Sequence, residues 1–151
     1  FDGYFPSRWT IDPHYDGVSP DIKDKYSNTT ATPEFISEIF GESGITWDEN
    51  LGLVVVDVLN PNLHDPETGS DLLGSVVSLT SVESLAMVVD DDERFLVEGN
   101  VLSQNSDVIF VNVELGELAF SIETPDGSVC AYPENMYAKA GEIFHISVYC
   151  Q

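Results

Sequence analysis

From Leu51 to Cys150 the chain is a series of short apolar runs, each closed by Asn, Asp, Pro or Gly. That punctuation leaves no stretch for a helix of ordinary length and selects a mainly β chain. The first run, LGLVVVDVL at 51–59, is apolar on both faces and predicts a central strand. The loop NPNLHDPETGSD follows at 60–71. Next come GSVVSLTS, LAMVV and RFLV, the last two joined by a tight turn at Asp90, Asp91, Asp92 and Glu93. DVIFVNV at 107–113 turns through Leu115 and Gly116 into ELAFSIE, where Leu118, Phe120 and Ile122 alternate with Ala119 and Ser121. Period-two alternation marks a half-buried strand. Pro125, Asp126 and Gly127 form the next turn. EIFHISVYC is the last strand, with Phe144, Ile146 and Val148 facing one way and His145 outward as a surface residue. Seven or eight short strands at this spacing predict a single antiparallel β-sandwich at 51–151.

The first 50 residues differ. Residues 1–31 carry Pro6, Pro13, Pro20, Gly3 and Gly17, which interrupt helix and strand alike. They also hold Phe1, Tyr4, Phe5, Trp9, Tyr15 and Tyr26, more aromatic surface than a solvated linker carries. The expectation is an extended aromatic arm that buries Phe1, Tyr4, Phe5 and Trp9 against another copy of the chain, or against its own body. Residues 32–50 predict a short helix and a turn. Thr32 serves as N-cap, Pro33 takes the first helical position and Phe35, Ile36, Ile39 and Phe40 share a face.

Charge restricts the partners. With 27 Asp and Glu against 5 Lys and Arg, the formal net charge is −22. Binding to phosphate backbones or anionic bilayers needs Lys and Arg to displace counterions, so neither nucleic acid nor direct membrane insertion is expected. Hydrophobic residues make up 42% of the chain, enough for a folded core despite that charge. The chain opens at Phe1 and shows no leader, which reads as a processed chain or an excised domain. Cys130 and Cys150 bracket the last hairpin region. They are expected to form a disulfide, which places the chain in an oxidising compartment: secreted, extracellular or at the cell surface. The bond closes a loop of 21 residues, a stabilisation of ~3 kcal/mol on the chain-entropy account.

Four segments of the 51–150 stretch carry a resemblance: LGLVVVDVLNPN, LLGSVVSLTS, IFVNVELGELAFSIETPDGSVC and AGEIFHISVYC. Together they resemble the carboxypeptidase regulatory-like domains. The resemblance implies a transthyretin-like, Ig-like sandwich and a non-catalytic accessory or structural module.

Catalytic motifs are absent. There is no nucleophile elbow and no Gly-rich phosphate loop, and His14, His64 and His145 lack metal spacing to one another or to cysteine. No enzyme is expected and no cofactor is required. Calcium is the one ligand the acidic turns suggest, through Asp90, Asp91, Asp92 and Glu93, or through Asp65, Glu67 and Asp71, because hard cations take several carboxylate oxygens. The competing account is a solvated acidic turn that keeps sheet edges from mispairing. Asn28-Thr29-Thr30 is a glycosylation sequon and fits a surface position. The expected function is a structural or adhesive module of a cell-surface or filamentous assembly, joined to copies of itself or other surface proteins through the arm. The alternative is a sugar- or small-ligand-binding module using exposed Trp9 and Trp47, with calcium as an aid.

Self-repulsion at −22 weakens the folded state at low salt, so the thermal midpoint should rise from low to moderate NaCl. A calcium site at the acidic turns would add a further rise over NaCl of matched ionic strength. Equal midpoints in the two salts would argue against the site.

Overall fold

A computed structural model of the chain describes residues 40–41, 43–60, 72–89, 96–103, 107–133 and 135–151, and the backbone of 7–10. The described residues are mainly β. Eleven strands follow in order: β1 Ser7–Thr10, β2 Gly52–Leu59, β3 Val76–Leu79, β4 Leu85–Val89, β5 Leu96–Glu98, β6 Val108–Val113, β7 Gly116–Glu117, β8 Phe120–Glu123, β9 Cys130–Ala131, β10 Tyr137–Ala138 and β11 Ile143–Cys150. The helix expected from Thr32 falls outside the described residues except for Phe40 and Gly41, which are helical.

Seven strands form one sheet in the order β1-β11-β2-β6-β4-β5, with β9 added to the outer side of β11. Two short ladders, β7–β10 and β3–β8, lie apart from it. The strand count exceeds the expected seven or eight because ladders of two residues carry no periodic signal in the sequence. ELAFSIE is one run by alternation but serves two ladders. Gly116–Glu117 pairs with β10, and Phe120–Glu123 pairs with β3.

The expectation of an antiparallel body needs a second correction. β11 runs parallel to β2 from Ile143↔Leu53 to Tyr149↔Leu59, and β1 runs parallel to β11. Turn residues predict only pairings between neighbours in sequence. β2 and β11 are joined by a long excursion through the rest of the chain, so nothing local sets their direction. The central place expected for LGLVVVDVL is found, since β2 lies between β11 and β6.

Both faces of this sheet are apolar. On one face Val54, Val56 and Val58 of β2, Phe110 of β6, and Phe144, Ile146 and Val148 of β11 join Val77 of β3, Leu102 and Leu118 in one buried cluster. Phe110 and Phe120 meet across it with ring centroids 5.9 Å apart. On the other face Leu53, Met87, Leu96, Val111 and Ile143 are covered by Phe40 and Trp47. Phe40, Trp47 and β2 are thus near neighbours in sequence, and this stretch supplies both a central strand and the lid over its second face. Gly52 lets β10 come close, because a β-carbon there would stand 3.0 Å from Ala138 Cβ.

A β-bulge in β6 holds that lid. Val54 pairs with Phe110 and Gly52 with Val113, so two residues of β6, Val111 and Asn112, oppose Leu53 alone of β2. The extra residue brings Asn112 to φ 56°, a left-handed conformation that asparagine tolerates. Its side chain then faces the turn before β2. The Asp48 amide donates to Asn112 Oδ1 at 2.8 Å, and Asn112 Nδ2 donates to the Thr46 carbonyl at 3.0 Å. Trp47, between those two residues, is buried. Asn112→Ala should lower stability by about 2 kcal/mol, losing both bonds and leaving a β-carbon in the left-handed region. Asn112→Gly should cost about half as much, because it loses the bonds but relieves the backbone. Urea midpoints measure both, and an alanine variant as stable as the native chain would show that the bonds contribute nothing.

Candidate functional site at the edge of the large sheet

β11 is flanked differently along its length. Its inner side pairs with β2 from Ile143 to Tyr149. Its outer side is divided. Ser7, Arg8, Trp9 and Thr10 of β1 take Ile143, Phe144, His145 and Ile146 as register partners, and further along β9 takes Tyr149 and Cys150. The arm thus contributes a strand to the chain's own sheet, the second of the two placements expected for it, against another copy or against its own body. Phe1, Tyr4 and Phe5 lie outside the described residues, and Trp9 is described as backbone.

The β9 end is locked covalently. Cys130 and Cys150 form the expected disulfide. They are register partners, and the flanking Val129 and Gln151 exchange both backbone hydrogen bonds, at 2.9 and 3.0 Å. The cysteines therefore occupy the non-hydrogen-bonded position of an antiparallel ladder, where Cα atoms approach most closely and a cross-strand bond is easiest to form. Their Cα atoms are 3.9 Å apart. Cys150 is fully buried against the first cluster.

His145 corrects an expectation. It was read as a surface residue on the outward face, but that face carries the second apolar cluster, with Ile143 and Ser147 buried on either side of it. His145 is itself mostly buried, and desolvation of the charged form lowers its pKa to about 4. Its register partners are Val55 and Trp9. Two residues on, the Ser147 hydroxyl donates to Asp57 Oδ2 at 3.3 Å.

Elsewhere, single hydroxyls bond backbone amides at the edges of the sheets. The outward amide of Leu96 on β5 donates to Ser43 Oγ at 2.8 Å. The outward amide of Ile122 on β8 donates to the Tyr132 hydroxyl at 3.2 Å, which ties the β9 side of the large sheet to the β3–β8 ladder. Just before β8, the Ala119 amide donates to Ser81 Oγ and its carbonyl accepts from Thr80 Oγ1, both at 3.0 Å. A shallow concavity runs along Leu79–Ser84, but the Thr80 and Ser81 hydroxyls in it are committed to those bonds.

The remaining sequence-derived sites are dispersed. Asp90, Asp91, Asp92 and Glu93 lie outside the described residues, as do Asp65, Glu67, Asp71, His14, His64 and Asn28. Among the described residues no group of three or more His, Cys, Asp and Glu comes together as a metal site. Trp47, expected as an exposed sugar platform, is buried as part of the lid. Two exposed carboxylates are held below the usual range. Asp48 accepts from the Asn50 amide and side chain, and Asp126 accepts from Ser128 in the expected Pro-Asp-Gly turn. Both carboxylates order turns and face solvent. No described helix is long and apolar enough to cross a membrane.

Sequence reasoning missed the β1–β11 pairing. SRWT has four residues and no alternation, flanked by prolines at 6 and 13, and its partner lies more than a hundred residues away. Only those prolines hinted at extended backbone.

Fold and site together define a disulfide-clamped, mainly β module with a strand from its N-terminal region seated on the edge of β11. No family model, curated protein or solved structure matches the chain.

His145 generates a pH dependence whose sign follows from its lowered pKa. The unfolded chain takes up the proton near pH 6.5, before the folded chain does, so the stability contributed by neutral His145 is present above pH 6.5 and lost as pH falls towards 4. Relative to His145→Asn, the native chain should lose about 1–3 kcal/mol over that window, partial solvent contact keeping it below the full value. Denaturant titrations at pH 4, 5, 6 and 7.5 check this, and a pH-independent difference would contradict it.

Proposed function

We propose that the chain is a non-enzymatic extracellular structural or adhesive module. Its body is a transthyretin-like β-sandwich of the carboxypeptidase regulatory-like kind, and it joins a cell-surface or filamentous assembly through its N-terminal arm. The observation that carries the reading is the parallel pairing of Ser7–Thr10 with Ile143–Ile146. The arm is a strand donor, and the body offers an edge that accepts it. Strand addition at an edge supplies backbone hydrogen bonds without a preformed pocket, a common way for β modules to join.

Three further features support the reading. A buried cluster shared by the large sheet and the β3–β8 ladder suits a sandwich. The disulfide fits an oxidising compartment. The acidic surface keeps separate bodies from aggregating while leaving a specific contact to hold them. The sugar-binding alternative loses Trp47, one of its two aromatic platforms, to the core.

Light scattering on the full chain in physiological saline tests the proposal. It should show self-association that grows with concentration, and deletion of residues 1–31 should leave a folded monomer. A full-length chain that stays monomeric throughout, with a truncated chain that unfolds, would make the arm part of the core and remove the assembly reading.

A further inference from the structure

We infer that the β11 edge takes its Ser7–Thr10 strand from a second copy of this chain, by exchange of the contact that the structure shows within one copy. The inference rests on the assembly reading and names its contact: residues 7–10 of one copy against residues 143–146 of the next.

The slot is short and bounded. β11 offers its outer edge to β1 only at Ile143–Ile146, because β9 occupies the same edge at Tyr149 and Cys150. The Cys130–Cys150 bond fixes β9 there, so the upper limit of the slot is covalent. An incoming strand therefore has room for a short segment in one register, which the four residues of β1 match.

Among the described residues β1 pairs with its own body only through the ladder with β11. It has no turn joining it to β11, and 29 residues, 11 to 39, separate it from the lid residue Phe40. Chain length alone sets an upper bound of ~95 Å on the span of that many residues, enough for the strand to reach the slot of a neighbouring copy. The backbone bonds in the slot are the same in either case, so exchange loses none of them.

Charge favours this contact over a broad one. At −22, two bodies meeting face to face would crowd carboxylates together. The segment SRWT has no acidic residue and carries Arg8, one of only five basic residues in the chain. Sending that segment into a neighbour brings one positive charge to an acidic body. Each copy both gives and accepts a strand, so the contact closes into a pair or continues into a chain according to the angle between copies.

The full chain can report this directly. Trp9→p-benzoylphenylalanine protein is made in light and 15N-labelled forms, mixed in denaturant with the disulfide intact, refolded together and irradiated. Trypsin after Arg8, Lys23 and Lys139 releases the peptides 9–23 and 140–151, and the cross-link between them is weighed after reduction. Exchange predicts that about half of the cross-linked pairs join a light to a heavy peptide. Thr10→p-benzoylphenylalanine, aimed at Ile146, should give the same ratio and guards against a local effect at position 9. If light scattering shows an oligomer but every cross-linked pair is isotopically uniform, strand exchange is wrong and the assembly is held elsewhere. A monomer with uniform pairs overturns the assembly reading and the exchange together.

Discussion

The parallel pairing of β2 with β11 is the contact on which the other elements depend. Seven consecutive residues of each strand are in register, from Leu53 with Ile143 to Leu59 with Tyr149. Parallel ladders are stable when buried on both faces, and this one is. Val54, Val56, Val58, Phe144, Ile146 and Val148 enter one apolar cluster, while Leu53 and Ile143 enter the other. Everything else is placed relative to that pair. β6 pairs with the far side of β2, the lid residues Phe40 and Trp47 cover the second face, and the β3–β8 ladder shares the first cluster. The outer side of β11 is then left for β1 and β9.

A sheet built outward from its centre must deal with its margins, and here the margins are treated one donor at a time. Ser43 accepts the outward amide of Leu96, Tyr132 that of Ile122 and Ser81 the amide of Ala119. The first two hydroxyls each occupy an outward backbone donor at an edge, while the third bond lies at the end of the β3–β8 ladder. Tyr132 does more, because it reaches from the end of β9 to β8 and so ties the large sheet to the smaller ladder. Among the described residues, the margin of β11 is covered by a strand from a distant part of the chain.

How much of this was legible in the sequence depended on whether the cause was local. LGLVVVDVL announced a central strand because apolar side chains on both faces have no other use. The Pro125-Asp126-Gly127 turn and the inward alternation of Leu118, Phe120 and Ile122 were equally plain, since φ preference and period two act within a few residues. The cysteine pair was legible because both cysteines bracket one hairpin region. The parallel direction of β11 was not, because it is settled by packing between segments some eighty residues apart. Nor was the burial of His145. Period two assigned it to the face opposite Phe144 correctly, but whether that face meets water depended on a lid whose anchor, Asn112, sits in another strand. Trp47 was misread for the same reason: an aromatic in a polar turn looks exposed until the bulge that fastens the turn is known.

The distance between β2 and β11 along the chain also has a consequence for synthesis. β2 ends at Leu59 and β11 begins at Ile143, so 83 residues must be made before the central strand gains its parallel partner. At ribosomal speed that interval is on the order of ten seconds. During it, a valine-rich segment apolar on both faces has β6 to pair with at best, and one flank stays open. Such segments are the ones that nucleate intermolecular β stacking. The heavy acidic load on the surrounding loops then acts on the nascent chain as well as on the finished surface. Like charges flanking the exposed strand hold neighbouring nascent chains apart until β11 arrives.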